Sequence, residues 1–258
     1  MTWCEFSEFT YGYACIREAE VQVSRAHGPV LAPIQPSLRD EEELGWDAAI
    51  PAIDYALFLQ FKRTYHVGRA RRNSPTSPHV GVPHYRFAVD TASKQFEALT
   101  ALEATIRTGM IIGDVYYAAP VFYEQSVFEA FYAARSVLRN SVLVPPRDFP
   151  ADREQHWFAI APTGASCILS EPLPPKWATR WGDLVDRISL RLLDAAREPF
   201  SLLELEERLL TAAQRASVLV PDWLFSEQNA LARIQLLANA FGCVPFLILS
   251  EPAALASP

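Results

Sequence analysis

The chain has 258 residues, half of them apolar, so it can bury a large core and is not a low-complexity polypeptide. The formal net charge is −7, which excludes a protein whose whole surface attracts nucleic acid or anionic lipid. The four cysteines are scattered without a CxxC pair or a secretory signal before them, so the sequence predicts a cytoplasmic protein. No segment reaches the ~18 uninterrupted apolar residues of a membrane span, and we expect no membrane partner.

The amino-terminal segment predicts a helix. Thr2 and Glu5 have the spacing of a capping box, and four apolar side chains follow at three- and four-residue intervals. These side chains are Phe6, Phe9, Tyr13 and Ile16. The aromatic content leaves a strand open as an alternative for Tyr11 to Ile16.

Strands and helices then alternate as far as residue 169. Apolar runs predict strands at 30–34, 46–50, 55–62, 85–89, 115–121, 141–144, 156–161 and 165–169, and helical spacing predicts helices at 93–107 and 125–138. The strands at 46–50 and 55–62 are close enough to pair as a hairpin. Three prolines between Arg63 and His84 predict a loop there. This order is typical of an α/β or α+β protein with a mixed sheet.

A change of composition at Glu171 to Pro175 marks the predicted domain boundary. We expect an α/β core over residues 1–170 and a mainly helical carboxy-terminal extension over 176–258. In the extension, the pattern predicts helices at 181–196, 201–215 and 222–241 and a closing strand at 244–249.

The stretch from Gly45 to Lys62 contains the residues most typical of phosphodiester chemistry. Strand alternation predicts that Gln60 and Lys62 point the same way. An oxygen ligand at 60 would help to hold a divalent cation, and the ammonium at 62 would stabilise charge developing on a phosphate. Asp47, expected on a neighbouring strand, would complete the metal site.

These residues resemble the signature of the PD-(D/E)XK nuclease superfamily, in particular its restriction-type and Holliday-junction-resolving members. That signature is GxD followed, a dozen or so residues later, by (E/Q)xK, and here it is formed by Gly45, Asp47, Gln60 and Lys62. The family's core is a helix, three strands, a helix and a strand, which resembles the predicted order through about Val121. The resemblance therefore implies a restriction-endonuclease-like mixed β-sheet flanked by helices.

The resemblance also implies an acidic residue from the first helix, and Glu8 is the nearest match, with Glu18 second. The metal ligands expected from it are Asp47, Gln60 and Glu8, and the cofactor expected is Mg²⁺ or Mn²⁺. The sequence departs from the usual pattern at Gln60, where the family's common acid is replaced by a neutral amide that is a weaker ligand for hard cations. Other acids near the motif are Asp54, Glu41, Glu42 and Glu43, which are typical of a turn and of a solvated acidic run.

A basic segment follows the motif. Between Phe61 and Val89 there is no acidic residue, although the chain as a whole is acidic. The cations are Lys62 and the predicted nucleic-acid-binding residues Arg63, Arg69, Arg71, Arg72 and Arg86. An arginine-rich loop beside a metal site would bring a phosphate backbone to it. The alternatives are a solvated loop and a docking surface for an acidic partner.

Together these patterns predict a Mg²⁺-dependent nuclease of DNA, with RNA as the less favoured alternative substrate, in which Asp47, Gln60, Lys62 and Glu8 are catalytic. The likeness to restriction-type enzymes suggests bacterial antiviral defence, with a protein partner supplying recognition. The main alternative is a catalytically inactive nuclease-fold subunit that binds nucleic acid or protein. A third is a small-molecule enzyme built on the aromatic stretch Val115 to Tyr123. His79, His84 and His156 fit packed or loop histidines better than metal ligands.

Overall fold

A computed structural model of the protein describes residues 2–27, 30–31, 53–69, 80–108, 112–169, 176–193, 200–227 and 229–249. Within these ranges the chain is a mixed α/β protein with six α-helices and two six-stranded sheets, which confirms the predicted α/β class. The helices are α1 (Glu8–His27), α2 (Lys94–Thr108), α3 (Gln125–Ala133), α4 (Trp181–Leu192), α5 (Leu202–Arg215) and α6 (Ala230–Ala240). None of these helices is both long and apolar enough to cross a membrane.

The strands include four of only two residues. They are β1 (Thr2–Trp3), β2 (Val30–Leu31), β3 (Ile53–Phe61), β4 (Tyr65–Val67), β5 (His84–Asp90), β6 (Gly113–Pro120), β7 (Ser141–Val144), β8 (Gln155–Ile160), β9 (Ala165–Ile168), β10 (Lys176–Trp177), β11 (Thr179–Arg180) and β12 (Val244–Leu249). Residue contacts divide the chain into two compact units. The first comprises Met1–Ala19, Gln60–Phe96 and Tyr116–Asp186, and the second comprises Glu20–Leu59, Glu97–Val115 and Arg187–Pro258.

The first unit contains the whole of one sheet, in the order β1-β4-β5-β8-β9-β10, with antiparallel neighbours throughout. Phe87 of β5 and Phe158 of β8 are opposite one another and point into an aromatic core with Phe149 and Tyr117. Successive strand residues point to opposite faces of a sheet, so this burial fixes which residues face away from the core. The end of β6 pairs with β7 in the same unit, Tyr117 being opposite Val144.

In the second unit, β12 is antiparallel to both β3 and β2, with Val244 opposite Leu59. Gly113 begins β6 so close to β3 that an added Cβ atom would lie 2.4 Å from the carbonyl oxygen of Ala56, which excludes any side chain there. Helix α5 begins with a capping box between Ser201 and Glu204.

Most predicted elements of regular structure are confirmed to within a few residues. They are the strands now labelled β3, β5, β6, β7, β8, β9 and β12, and the helices α2, α4 and α5. The predicted strand at 30–34 is described only at Val30–Leu31, and the strand at 46–50 and the boundary at 171–175 lie outside the described residues.

Four predictions of local structure are wrong in part. The first helix begins at Glu8 rather than near Thr2, because the Ser7 hydroxyl accepts a hydrogen bond from the backbone N–H of Thr10 and caps it. The predicted loop at 63–84 contains β4. The helix predicted at 125–138 stops at Ala133, since Arg135 has a φ of 53°. The helix predicted at 222–241 is a 3₁₀ turn followed by α6, which Asn229 caps.

Candidate functional site

The end of β3 presents Gln60 and Lys62, the two residues singled out by the sequence motif. Every residue of β3 is buried, and Gln60 retains only 4% of its accessible surface. The backbone N–H of Lys62 donates to the carbonyl oxygen of Ala118 over 2.9 Å, which holds the chain against β6 just beyond the strand's last residue. Gln60 and Lys62 are therefore fixed by the sheet rather than by a loop.

The ammonium group of Lys62 is held by two neighbours that are distant in sequence. Its Nζ donates to Oε1 of Gln95 over 3.4 Å and lies 5.5 Å from the centre of the Tyr117 ring. Burial lowers the pKa of Lys62 below its ordinary value, and the carboxylate of Glu8 acts in the opposite direction by favouring the charged form. Glu8 is thus an acidic side chain that interacts electrostatically with Lys62.

Gln60 carries a buried acceptor. Its Oε1 has no hydrogen-bond partner among the described residues. Buried side-chain oxygens in folded proteins are nearly always satisfied, so an unsatisfied one indicates a water, an ion or another ligand. An amide oxygen is a suitable donor for a hard cation such as Mg²⁺.

Helix α1 reaches this part of the chain through a glycine. Phe61 points at α1, where its ring makes an edge contact with Tyr11, and a Cβ atom on Gly12 would come within 2.8 Å of the Phe61 ring. The absence of a side chain at 12 therefore lets α1 approach β3 closely. Glu8 lies one helical turn before Gly12, on the helix that Phe61 contacts.

Three of the four predicted catalytic residues, Glu8, Gln60 and Lys62, belong to one compact unit, and the charge of Glu8 acts on Lys62. The fourth, Asp47, lies outside the described residues, as do Glu41, Glu42 and Glu43. Among the described residues no group of three or more His, Cys, Asp and Glu side chains is close enough to hold a metal ion. The oxygen donors of Glu8 and Gln60 fit the chemistry that Mg²⁺ requires.

Glu18 and Asp54 are the other acidic residues considered for the predicted metal site, and the structure describes both. The carboxylate of Glu18 accepts hydrogen bonds from the backbone N–H groups of Val137 and Leu138 at 2.7 and 2.8 Å, at the start of a 3₁₀ turn. Burial raises the pKa of Glu18, and these two bonds oppose the shift. Asp54 is buried within β3 instead of serving the turn expected of it.

The predicted nucleic-acid-binding arginines are divided between a strand and its flanking segments. Arg63 donates to the carbonyl oxygen of Cys4 and its guanidinium lies over the Trp3 ring, whereas Arg86 is inside β5, buried against Trp157. Arg69 is exposed after β4. Arg71 and Arg72 lie outside the described residues. Arg86 therefore lies on the strand predicted at 85–89 and not in the predicted loop.

Sequence reasoning missed Gln95 and Tyr117, which contact Lys62, and Gly12. A glycine inside a helical pattern was the one available signal, since it indicates a close packing contact. His84 and His156 are buried and bonded as packed histidines: His84 Nδ1 lies 2.7 Å from the carbonyl oxygen of Gly81, and His156 Nε2 lies 2.7 Å from Asp152 Oδ1.

Comparison with known proteins adds no relative to this picture. No family model matches the chain, and no curated protein and no solved structure matches it at a significant level.

Proposed function

We propose that the protein is a divalent-metal-dependent nuclease with a restriction-endonuclease-like core. The observation that carries the proposal is the environment of Lys62: its side chain is half-buried and under the influence of the Glu8 carboxylate, two residues after a buried amide oxygen that has no hydrogen-bond partner among the described residues. An ordinary lysine at a strand end extends its amine into water, because burial of the charge costs free energy. A lysine whose amine is instead partly buried is a candidate functional residue.

Each residue has a distinct role in the proposed reaction. Glu8, Gln60 and Asp47 supply oxygen ligands for Mg²⁺ or Mn²⁺, and Lys62 stabilises negative charge on the scissile phosphate. When bound, the divalent cation supplies Lewis-acid activation of water and phosphate. Gln95 and the Tyr117 ring keep the Lys62 ammonium in position, since one accepts its hydrogen bond and the other offers its π face.

The proposed substrate is nucleic acid, DNA before RNA. The chain carries a formal charge of −7, so affinity for a polyanion has to come from a local group of cations. Lys62 is the first of the cations in the acid-free segment from Phe61 to Val89, which places positive charge next to the proposed metal ligands. We further propose that a protein partner supplies recognition and that the setting is cytoplasmic antiviral defence.

The proposal is tested by incubating the purified protein with labelled DNA and RNA in Mg²⁺ or Mn²⁺. Asp47→Ala and Lys62→Ala are compared with wild type. We expect Mg²⁺-dependent cleavage by wild type and loss of cleavage in both variants. Equal residual cleavage by all three proteins would contradict the proposed nuclease activity. If wild type is inactive alone, the assay is repeated with proteins that co-purify with it.

The amide at position 60 favours a second candidate, a nuclease-fold subunit that binds nucleic acid or protein without cutting. Gln60 contributes one negative charge less to a metal site than the glutamate common in the resembled family. Metal-independent binding of DNA by a protein that never cleaves it, even with its partner, would support this candidate.

A further inference from the structure

One face of the first sheet carries aromatic rings interleaved with guanidinium groups. It consists of Trp3 on β1, Tyr65 on β4, Arg86 on β5 and Trp157 on β8, with Arg63 at its border. We call this set of five residues the aromatic face. All five belong to the first compact unit.

Strand register shows that the four strand residues point to the same side. Trp3 is directly opposite Tyr65, and Tyr65 is opposite Arg86. Ala88, two residues after Arg86, is opposite Trp157. Residues opposite each other in an antiparallel pair share a face, as do residues two apart in a strand. The aromatic face therefore crosses four adjacent strands.

The rings and cations contact each other. The Arg86 guanidinium lies 4.4 Å from the centre of a Trp157 ring, and Tyr65 meets Trp157 edge-on at 5.4 Å. The Arg63 guanidinium lies 5.1 Å from the Trp3 ring, while Trp3 and Tyr65 pack against each other. These contacts fix the ring planes before any ligand arrives, so a ligand would lose little entropy in ordering them.

The aromatic face is buried towards β8 and open towards β1: Arg86 is buried, and Ala159, opposite it in β8, packs in a buried cluster with Val80 and Cys167. Phe87 and Phe158, on the opposite side, are buried in the aromatic core, whereas Trp3 keeps 52% of its accessible surface. Tyr65 and Trp157 are half-buried. A contiguous group of aromatic side chains at an accessible surface, unlike a single exposed one, is typical of an interaction site.

The positive charge of this region favours an anionic ligand. Arg63, Tyr65 and Arg86 belong to the segment from Phe61 to Val89, which holds six basic and no acidic residues in a chain of net charge −7. Phosphates would be attracted by the guanidinium groups, and flat bases by the rings. Both features together match a nucleic acid whose bases are unpaired, because bases inside a duplex cannot reach an aromatic ring.

We propose that the aromatic face binds single-stranded nucleic acid, with bases stacked on Trp3, Tyr65 and Trp157 and phosphates near Arg63. An acidic protein segment would use the cations but would leave the ring planes unexplained. The proposal does not depend on cleavage at Lys62, because it concerns a different surface and a binding step that needs no metal.

The test is fluorescence anisotropy with a fluorescein-labelled oligothymidylate of about 16 nucleotides, the upper range of one single-strand-binding fold. Measurements are made in EDTA at low salt, so that no metal-dependent cleavage can intervene. The variants are Trp3→Ala, Trp3→Phe, Trp157→Phe and Arg63→Gln. Trp223→Ala is the matched control, since Trp223 is a similarly exposed tryptophan in the second unit.

Wild type is expected to bind the oligonucleotide more tightly than a duplex of the same length. Trp3→Ala should weaken binding about tenfold, the effect of losing one stacked base, whereas Trp3→Phe should keep most of the affinity. Arg63→Gln should lower the salt dependence of binding by roughly 0.7 in log–log slope. Trp223→Ala should bind as wild type does.

Trp3 lies on a two-residue edge strand and is half exposed, so its removal should leave the fold intact, which circular dichroism verifies. Folded Trp3→Ala protein with unchanged affinity would overturn the proposal. Equal weakening by Trp223→Ala would do the same. Absence of binding to the oligonucleotide at low salt would also overturn it and would leave an acidic protein as the candidate occupant.

Discussion

Gly12 of α1 lies so close to Phe61 of β3 that a Cβ atom on residue 12 would come within 2.8 Å of the Phe61 Cδ2 atom. Phe61 is 9% exposed and its ring also meets Tyr11, so it has little room to withdraw. The contact sets the distance between the helix that carries Glu8 and the strand that leads to Lys62.

Gly12→Ala should therefore destabilise the protein even though alanine is the better helix former. Overpacking costs about 1–3 kcal/mol, and the gain in helix propensity recovers about 1 kcal/mol of that. We expect a net loss of about 1 kcal/mol in urea unfolding. The control is Gly182→Ala in α4, where a Cβ atom would meet none of the described residues within 4 Å and stability should rise. Equal effects of the two substitutions would contradict the packing argument.

Glu206 and Arg233 form a two-pronged ion pair between α5 and α6. The Arg233 Nε and Nη2 atoms donate to the two carboxylate oxygens at 2.7 and 2.9 Å, and the Glu206 side chain is 9% exposed. Arg233→Met leaves a buried carboxylate without this partner, so we expect a loss of about 3 kcal/mol in denaturant unfolding. The double variant with Glu206→Leu should recover much of that loss. Strict additivity of the two substitutions would show that the pair is uncoupled.

The stability of the Asp152 turn should depend on acid pH. The hydrogen bond with His156 holds the pKa of Asp152 below its ordinary value of 3.8, and bonds from the Glu154 backbone and the Thr91 hydroxyl act in the same direction. Because the pKa is depressed in the folded state, this contribution is present above pH 3.8 and is lost as the pH falls through the lowered value.

The measurement is the unfolding free energy of wild type and Asp152→Asn as a function of pH. Wild type should be the more stable at neutral pH, and the difference between the two should shrink as the pH falls below 3.8. A difference that stays constant to the lowest pH at which both proteins fold would argue against this role of Asp152.

The sequence predicted the elements whose signal is local. Strands β3 and β6 are mainly apolar runs buried along their whole length, and their type follows from composition. The start of α1 did not follow, because Ser7 caps the helix where Thr2 was expected to. The apolar stripe on α1 was also misplaced. Phe9 and Tyr13 are exposed, whereas Tyr11 is fully buried.

In the candidate site, too, the residues with a local sequence signal could be predicted and the others could not. Gln60 and Lys62 could be paired from strand alternation, and Glu8 came from the resemblance to a known nuclease signature. Gln95 and Tyr117 could not be predicted, because their approach to Lys62 depends on contacts across long sequence separations rather than on any local pattern. The role of all these residues in cleavage remains a prediction.

Gln60→Glu should make stability depend on metal. The amide oxygen of Gln60 has no hydrogen-bond partner among the described residues, and a carboxylate at this position would have none there either. Because burial of an unpaired charge costs free energy, the metal-free variant should melt at a lower temperature than wild type. Bound Mg²⁺ would offset the added charge, and the variant should gain more in melting temperature on addition of Mg²⁺ than wild type does. Melting temperatures that do not respond to Mg²⁺ in either protein would remove position 60 from the proposed metal site.

The central claim is that the Lys62 ammonium acts on a phosphate during cleavage. The direct test is the single-turnover rate of DNA cleavage in Mg²⁺ for wild type, Lys62→Ala and Lys94→Ala, the last being an exposed lysine next to Gln95. Loss of a group that stabilises transition-state charge lowers rates by about 10²–10³-fold. We predict such a drop for Lys62→Ala alone. Cleavage by Lys62→Ala at the wild-type rate would contradict the claim.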